Sequence, residues 1–200
     1  MLDAKLRPLI DPPLNALGRR LAALGIGANS ITISGMIVGL GAGVMIAYSH
    51  FAIALALILV SRLLDGLDGA VARATRMSDF GGYLDIVADF AFYLAVPVGF
   101  AFAAPGNMPF ALLLVASFTL TGISFLSFAV LAAKRGLTTS DHGEKSFFYN
   151  TGLAEGTETI VAFILMCLFP GQFPLIAAIF AIMCLLTVLQ RSLAAFMTFE

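Results

Sequence analysis

The sequence predicts an all-α integral membrane protein: six transmembrane helices preceded by an N-terminal interfacial amphipathic helix. Three observations carry that prediction. Of 200 residues, 60% are hydrophobic and only 12% charged, which is too apolar for a soluble domain and too short for two membrane domains. Six apolar segments follow one another, separated by short polar or Pro/Gly turns. The eleven Lys and Arg fall in the N-terminal segment, at the 2–3 turn and its flanks, in the 4–5 loop and near the C-terminus, while the 1–2, 3–4 and 5–6 turns have none. By the positive-inside rule both termini then face the cytoplasm of a multi-pass protein of the cell membrane. A net charge of −1 gives no general attraction to nucleic acid, and none is expected as a partner.

Residues 1–30 read as a cytoplasmic amphipathic segment. Leu6, Leu9, Ile10, Leu14, Leu17, Leu21 and Leu24 recur at near-helical spacing among Lys5, Arg7, Arg19 and Arg20. Pro12 and Pro13 suit the first turn of a short helix that begins after Asp11. No cleavable signal peptide is evident. Residues 31–200 form the six-helix domain. Its first helix, 31–49, can be capped by Asn29 or Ser30. Gly35, Gly39 and Gly43 give this helix a small-residue face that allows close packing, either within the monomer or across a dimer. The second helix spans 51–74, the third 80–103 and the fourth 110–133. Ser117, Thr119, Thr121, Ser124 and Ser127 on the fourth satisfy themselves on backbone carbonyls. A polar loop, 134–147, precedes the fifth helix at 148–169, and the sixth spans 175–195. Cys167 and Cys184 lie in apolar runs and read as packing residues.

The chemistry concentrates between residues 65 and 89, DGLDGAVARATRMSDFGGYLDIVAD. Asp65 and Asp68 are spaced i, i+3, and Asp85 and Asp89 i, i+4, so each pair shares one helix face. A carboxylate at the centre of a membrane helix costs on the order of 3 kcal/mol. Within the stretch only Arg73 and Arg76 oppose four such charges. Divalent cations resolve the imbalance, because hard ions such as Mg²⁺ prefer oxygen ligands.

Written as Asp65-x2-Asp68-Gly69-x2-Ala72-Arg73-x7-Gly81-x3-Asp85-x3-Asp89, the stretch resembles the signature of the CDP-alcohol phosphotransferases (CDP-alcohol phosphatidyltransferases), membrane enzymes of phospholipid head-group synthesis. Eight positions are fixed, each by a residue type of roughly 5–10% abundance, so a chance match is remote. Chain length, segment number and the motif's place across segments two and three resemble the small bacterial-type members akin to phosphatidylglycerophosphate synthase. The resemblance implies two Mg²⁺ or Mn²⁺ ions on Asp65, Asp68 and Asp85, with Asp89 mainly a general base and also counted among the metal residues. It implies that Asp68, Gly69, Ala72 and Arg73 contact the CMP part of the donor, with Asn29, Thr32 and Gly81 beside them. By the positive-inside rule the aspartate cluster is cytoplasmic as well, and family members commonly form homodimers. Such a site would clamp a diphosphate, and direct attack would yield an ester and CMP.

The expected reaction moves a phosphatidyl group from CDP-diacylglycerol to a small polar alcohol. The candidates for holding that alcohol are Arg76, Lys134, Arg135, Lys145 and Arg191, together with Glu155 and Glu158, which are spaced i, i+3 on the fifth helix. A solvated cytoplasmic face also explains most of the cations, and the two glutamates can equally pair with Arg191. Phosphatidylglycerophosphate synthase-like members often carry a lysine after the fourth aspartate, where this chain has Phe90. An alternative reaction uses a CDP-linked polar alcohol and a lipid hydroxyl. A divalent-cation transporter is the reading from another class; it leaves the Gly-x2-Ala-Arg element unexplained, and the chain shows no pair of similar halves.

Overall fold

The computed structural model describes residues 3–136 and 152–200, with side chains from Ile10 onward. Seven α-helices appear among them, and no strand: α1 (Asp3–Ala23), α2 (Ala28–Ala47), α3 (Phe51–Ala74), α4 (Asp79–Ala103), α5 (Met108–Lys134), α6 (Gly156–Leu168) and α7 (Phe173–Phe199). Single 3-10 turns, Pro105–Asn107 and Pro170–Gln172, lead into α5 and α7.

The last six helices close a ring: α2 packs on α3 and α4, α4 on α5, α5 on α7, α7 on α6, and α6 back on α3. All six contribute to one core, which includes Ile46, Ile58, Phe92, Phe118, Phe163 and Phe180. Aromatic edges and faces knit it together. Phe100 stacks on Phe173 with centroids 4.3 Å apart, and Phe92 meets Phe163 edge-on at 5.5 Å. Large apolar side chains such as Ile37, Leu112 and Phe102 also cover the outside, as a lipid solvent requires.

Four helices, α2, α4, α5 and α7, are long and apolar enough to cross a membrane. The remaining two ring helices depart from the expected six spans for different reasons. Helix α3 has the length, roughly 36 Å at 1.5 Å per residue, but carries Arg62, Asp65, Asp68 and Arg73. Helix α6 has 13 residues, too few to cross alone.

The fifth helix begins at Gly156 rather than near 148, so Glu155 precedes it instead of lying on its face. The cause is tertiary. Gly152 packs against Thr187 of α7, and the Ala154 N–H donates to the Thr187 hydroxyl at 3.0 Å, which holds this stretch out of the helix. The N-terminal helix, in turn, begins at Asp3 rather than after Asp11 and runs through Pro12 and Pro13. Its prolines remove backbone donors, but docking on α3 compensates. Leu14 lies against Gly66, and Gly18 against Ala70, where a β-carbon on Gly18 would stand 2.7 Å from the Ala70 side chain.

The glycine face of α2 is spent inside the monomer. A β-carbon at Gly39 would stand 2.9 Å from both Ser61 Oγ and the Phe92 ring, and one at Gly43 would stand 2.6 Å from the Ala95 carbonyl. Four of the five α5 hydroxyls behave as expected: Ser117, Thr119, Thr121 and Ser124 donate to carbonyls three or four residues back. Cys167 and Cys184 are buried in the core.

Candidate active site

Helices α3 and α4 both pack on α2 and are joined by a short turn, residues 75–78, which sets the end of one near the start of the other. The turn is fixed by Ser78, whose hydroxyl accepts from the Gly81 N–H at 3.0 Å and caps α4. Asp65 and Asp68 lie on α3, and Asp85 and Asp89 on α4. One carboxylate oxygen from each of Asp65, Asp68 and Asp85 falls within 4.8 Å of the other two. Asp68 is buried, and its Oδ2 has no hydrogen-bond partner.

A buried, unsatisfied carboxylate oxygen inside an acidic cluster is unfavourable twice over, through lost solvation and through repulsion. The donor set is oxygen only. It fits a hard divalent cation and does not fit a soft one. Asp65, Asp68 and Asp85 are the residues positioned to hold it.

Asp89 stands apart from that triad. Its Oδ1 accepts from Arg62 Nη1 at 2.7 Å, and the same nitrogen lies 3.5 Å from Asp65 Oδ1. Arg62 sits one helical turn before Asp65, just outside the stretch that carries the motif, and sequence reasoning missed it. The signal was present: an arginine spaced i, i+3 ahead of an aspartate in an apolar helix is a ready ion pair. The guanidinium also lies over the Phe92 ring, 4.1 Å from its centroid.

The residues expected at the nucleotide lie on α2, α3 and α4, the helices that flank the cluster. Asn29 does not cap α2, because Gly27 occupies the cap position. Its Oδ1 instead lies 3.3 Å from where a β-carbon on Gly81 would stand, so the start of α2 meets the start of α4. Thr32 is buried one turn on, and its hydroxyl donates to the Ala28 carbonyl. Gly69 lies beneath the Arg73 side chain, and Ala72 is half-buried on the same helix. Arg73 donates to Asn15 Oδ1 of α1 at 3.0 and 3.3 Å, a contact absent from the motif.

Of the acceptor candidates, the structure brings Glu155 and Arg191 together. Both line a cavity of about 140 Å³ with Phe90, Tyr93, Phe118, Thr121, Phe125 and Thr159. Arg191 donates to the Thr121 carbonyl at 3.2 Å, and Glu155 Oε1 accepts from the Gly152 N–H at 2.9 Å. Phe90 immediately follows Asp89, and the Tyr93 ring lies 5.9 Å from the Arg62 guanidinium, although none of the four aspartates is among the cavity's lining residues. Glu158 lies in the first turn of α6 and is not among the cavity's lining residues. Arg76 is exposed in the α3–α4 turn. Lys134 and Arg135 are exposed at the end of α5, where Arg135 donates to the Phe199 carbonyl at 2.6 Å and ties α5 to α7. Lys145 lies outside the described residues.

A family model described as CDP-alcohol phosphatidyltransferase matches residues 26–197. Inner membrane protein YnjF of Escherichia coli (strain K12) is 44% identical over 201 residues, spanning 100% of this chain and 98% of that protein. Archaetidylinositol phosphate synthase of Pyrococcus horikoshii is 41% identical over 87 residues, 43% of this chain and 46% of that one. Among solved structures, Mycobacterium tuberculosis phosphatidylinositol phosphate synthase (PgsA1) in complex with manganese and citrate shares the fold. Its TM-score is 0.66 at 18% identity, covering 92% of this chain and 88% of that one. The same enzyme with CDP-DAG bound gives a TM-score of 0.63 at 18% identity, covering 89% and 90%.

Proposed function

This chain belongs to the CDP-alcohol phosphatidyltransferase family, and from that premise we propose that it moves a phosphatidyl group from CDP-diacylglycerol to the hydroxyl of a small polar alcohol, releasing CMP. The observation that carries the reading is the convergence of Asp65, Asp68 and Asp85 oxygens within 4.8 Å, with a buried Asp68 oxygen lacking any partner. Asp65, Asp68 and Asp85 would hold two Mg²⁺ or Mn²⁺ ions. Bound there, the ions would supply neutralisation of the donor diphosphate and polarisation of its phosphorus.

The chain's own residues do the rest. Asn29, Thr32, Gly69, Ala72, Arg73 and Gly81 bind and orient the CMP part, with the glycines letting it approach the backbone. The acceptor alcohol sits in the cavity between Glu155 and Arg191. Asp89, one turn along α4 from Asp85, takes the proton of its hydroxyl. The new bond joins that oxygen to the β-phosphorus, the bond from this phosphorus to the bridging oxygen breaks, and CMP departs. The amphipathic N-terminal segment lies on the cytoplasmic face of the inner membrane, as the placement of Lys and Arg supports. Both termini and the site share that side, and the enzyme works as a homodimer.

The test is CMP release by the purified full-length protein with CDP-diacylglycerol and Mg²⁺ or Mn²⁺. The acceptor panel holds glycerol 3-phosphate, inositol, inositol phosphate, serine, ethanolamine, choline and phosphatidylglycerol. Release is expected with one acceptor class and is lost in Asp89→Asn. Release only from a CDP-linked polar alcohol with a lipid hydroxyl as acceptor would overturn the direction of transfer.

A further inference from the structure

The four carboxylates are not equivalent, and what separates them is a cation outside the motif. Three gather within 4.8 Å of one another, while the fourth, Asp89, is gripped through Oδ1 by Arg62 at 2.7 Å. The guanidinium is seated on several sides. Ser61 Oγ accepts from Nη2 at 3.2 Å and itself donates to the buried Gly35 carbonyl at 2.9 Å. The Phe92 ring lies beneath the guanidinium at 4.1 Å. The seat exists because Gly39 of α2 has no side chain: a β-carbon there would stand 2.9 Å from both Ser61 Oγ and Phe92 Cδ2. Three helices therefore converge to hold one arginine against one aspartate, with the guanidinium 5.9 Å from the ring of Tyr93, which lines the aromatic cavity.

We propose that Arg62 is a positioning residue that holds Asp89 out of the cation site and aims it at the acceptor, leaving Asp65, Asp68 and Asp85 to share the cations. A charge-assisted grip on one carboxylate oxygen fixes the direction of the other. Seating on an aromatic face and a hydroxyl keeps that grip from swinging toward Asp65, 3.5 Å away. The kinetic half of this assignment rests on the transferase reading; the metal-binding half does not.

The experiment is a Mn²⁺ titration of the full-length protein in lipid nanodiscs, followed by electron paramagnetic resonance without substrate, alongside the CMP-release assay. Asp89→Asn is expected to leave Mn²⁺ affinity unchanged, whereas Asp85→Asn weakens it by about tenfold or more. Arg62→Ala tightens Mn²⁺ binding several-fold, because a cation beside Asp65 is gone. In the assay Arg62→Ala lowers kcat by about 10²-fold, the scale of a misdirected general base, with the KM for CDP-diacylglycerol unchanged. Arg62→Lys restores part of kcat, since it returns the charge without the planar fork. Gly39→Ala, which touches neither carboxylate, lowers kcat through Ser61 and Phe92. Mn²⁺ affinity falling as far in Asp89→Asn as in Asp85→Asn overturns the assignment, as does an Arg62→Ala protein with wild-type kcat and Mn²⁺ affinity. A wild-type protein that releases no CMP sinks the transferase reading, and the Mn²⁺ titration still decides the place of Asp89.

Discussion

Asn15 shows how much of the site lies beyond any motif. Its side-chain oxygen accepts twice from the Arg73 guanidinium across 58 residues of sequence, so the N-terminal helix steadies a residue expected at the nucleotide. The pair is exposed, so solvent screens it, and its loss is worth about 1 kcal/mol. Asn15→Ala is therefore expected to raise the KM for CDP-diacylglycerol about fivefold with kcat little changed, as read by CMP release at varied donor; an unchanged KM would detach Arg73 from the donor. At this scale the four aspartates were legible because carboxylates are conspicuous in an apolar chain. Arg62 and Asn15 were not. Arg62 lies three residues outside the stretch where charges were weighed, and Asn15 is a polar residue on an already polar segment, given meaning only by where α1 docks. Asn29 moved the other way: capping explained it equally well until Gly27 proved to hold the cap.

At the scale of the helices, the small residues of α2 and α4 set how closely the elements can approach. Gly99 of α4 faces Gly43 of α2 so tightly that a β-carbon on it would overlap the Gly43 carbonyl and reach 3.0 Å from Ile46 Cβ. Backbone cannot move aside as a side chain can, so Gly99→Ala is expected to destabilise by about 2–3 kcal/mol, a Tm lowered by roughly 5–10 °C. Gly41, on the same helix as Gly43, offers only an ordinary 3.8 Å contact with Leu57, and Gly41→Ala should melt at or above the wild-type temperature. Equal melting of the two variants in detergent would show that the Gly43–Gly99 crossing is looser than it stands here. The span of α3, 51–74, was readable to the residue because apolar length and a following polar turn bracket it. The start of α6 was not, because what stops it is a hydroxyl on α7, Thr187, and no local pattern reports a partner 33 residues away. The unbroken course of α1 through Pro8, Pro12 and Pro13 was missed for the same reason: Gly18 and Leu14 rest on α3, and that docking outweighs local propensity.

Across the whole molecule, the ring of six helices separates two kinds of interior. One is dry and aromatic, built on Phe92, Phe100, Phe118, Phe163 and Phe173. The other is the carboxylate cluster where the ends of α3 and α4 meet, with the cavity of Glu155 and Arg191 beside it. The rigid first interior holds the second together, since Phe92 belongs to both, as core residue and as the face beneath Arg62. Global class and site location were open to sequence reading because apolar length and carboxylate spacing are local properties. The ring closure is not, because it depends on contacts between α3, α5, α6 and α7; that Glu155 and Arg191 meet was one of the readings open from the sequence, and what the structure adds is the cavity that both line.

The most direct measurement is CMP release from CDP-diacylglycerol before and after removal of divalent ions, with Asp68→Asn measured in parallel. The buried, unpartnered Asp68 oxygen predicts that release falls to background on chelation, returns with Mg²⁺ or Mn²⁺, and never appears in Asp68→Asn. Release that persists without divalent ions, or in Asp68→Asn, would contradict a metal-dependent transferase built on this cluster.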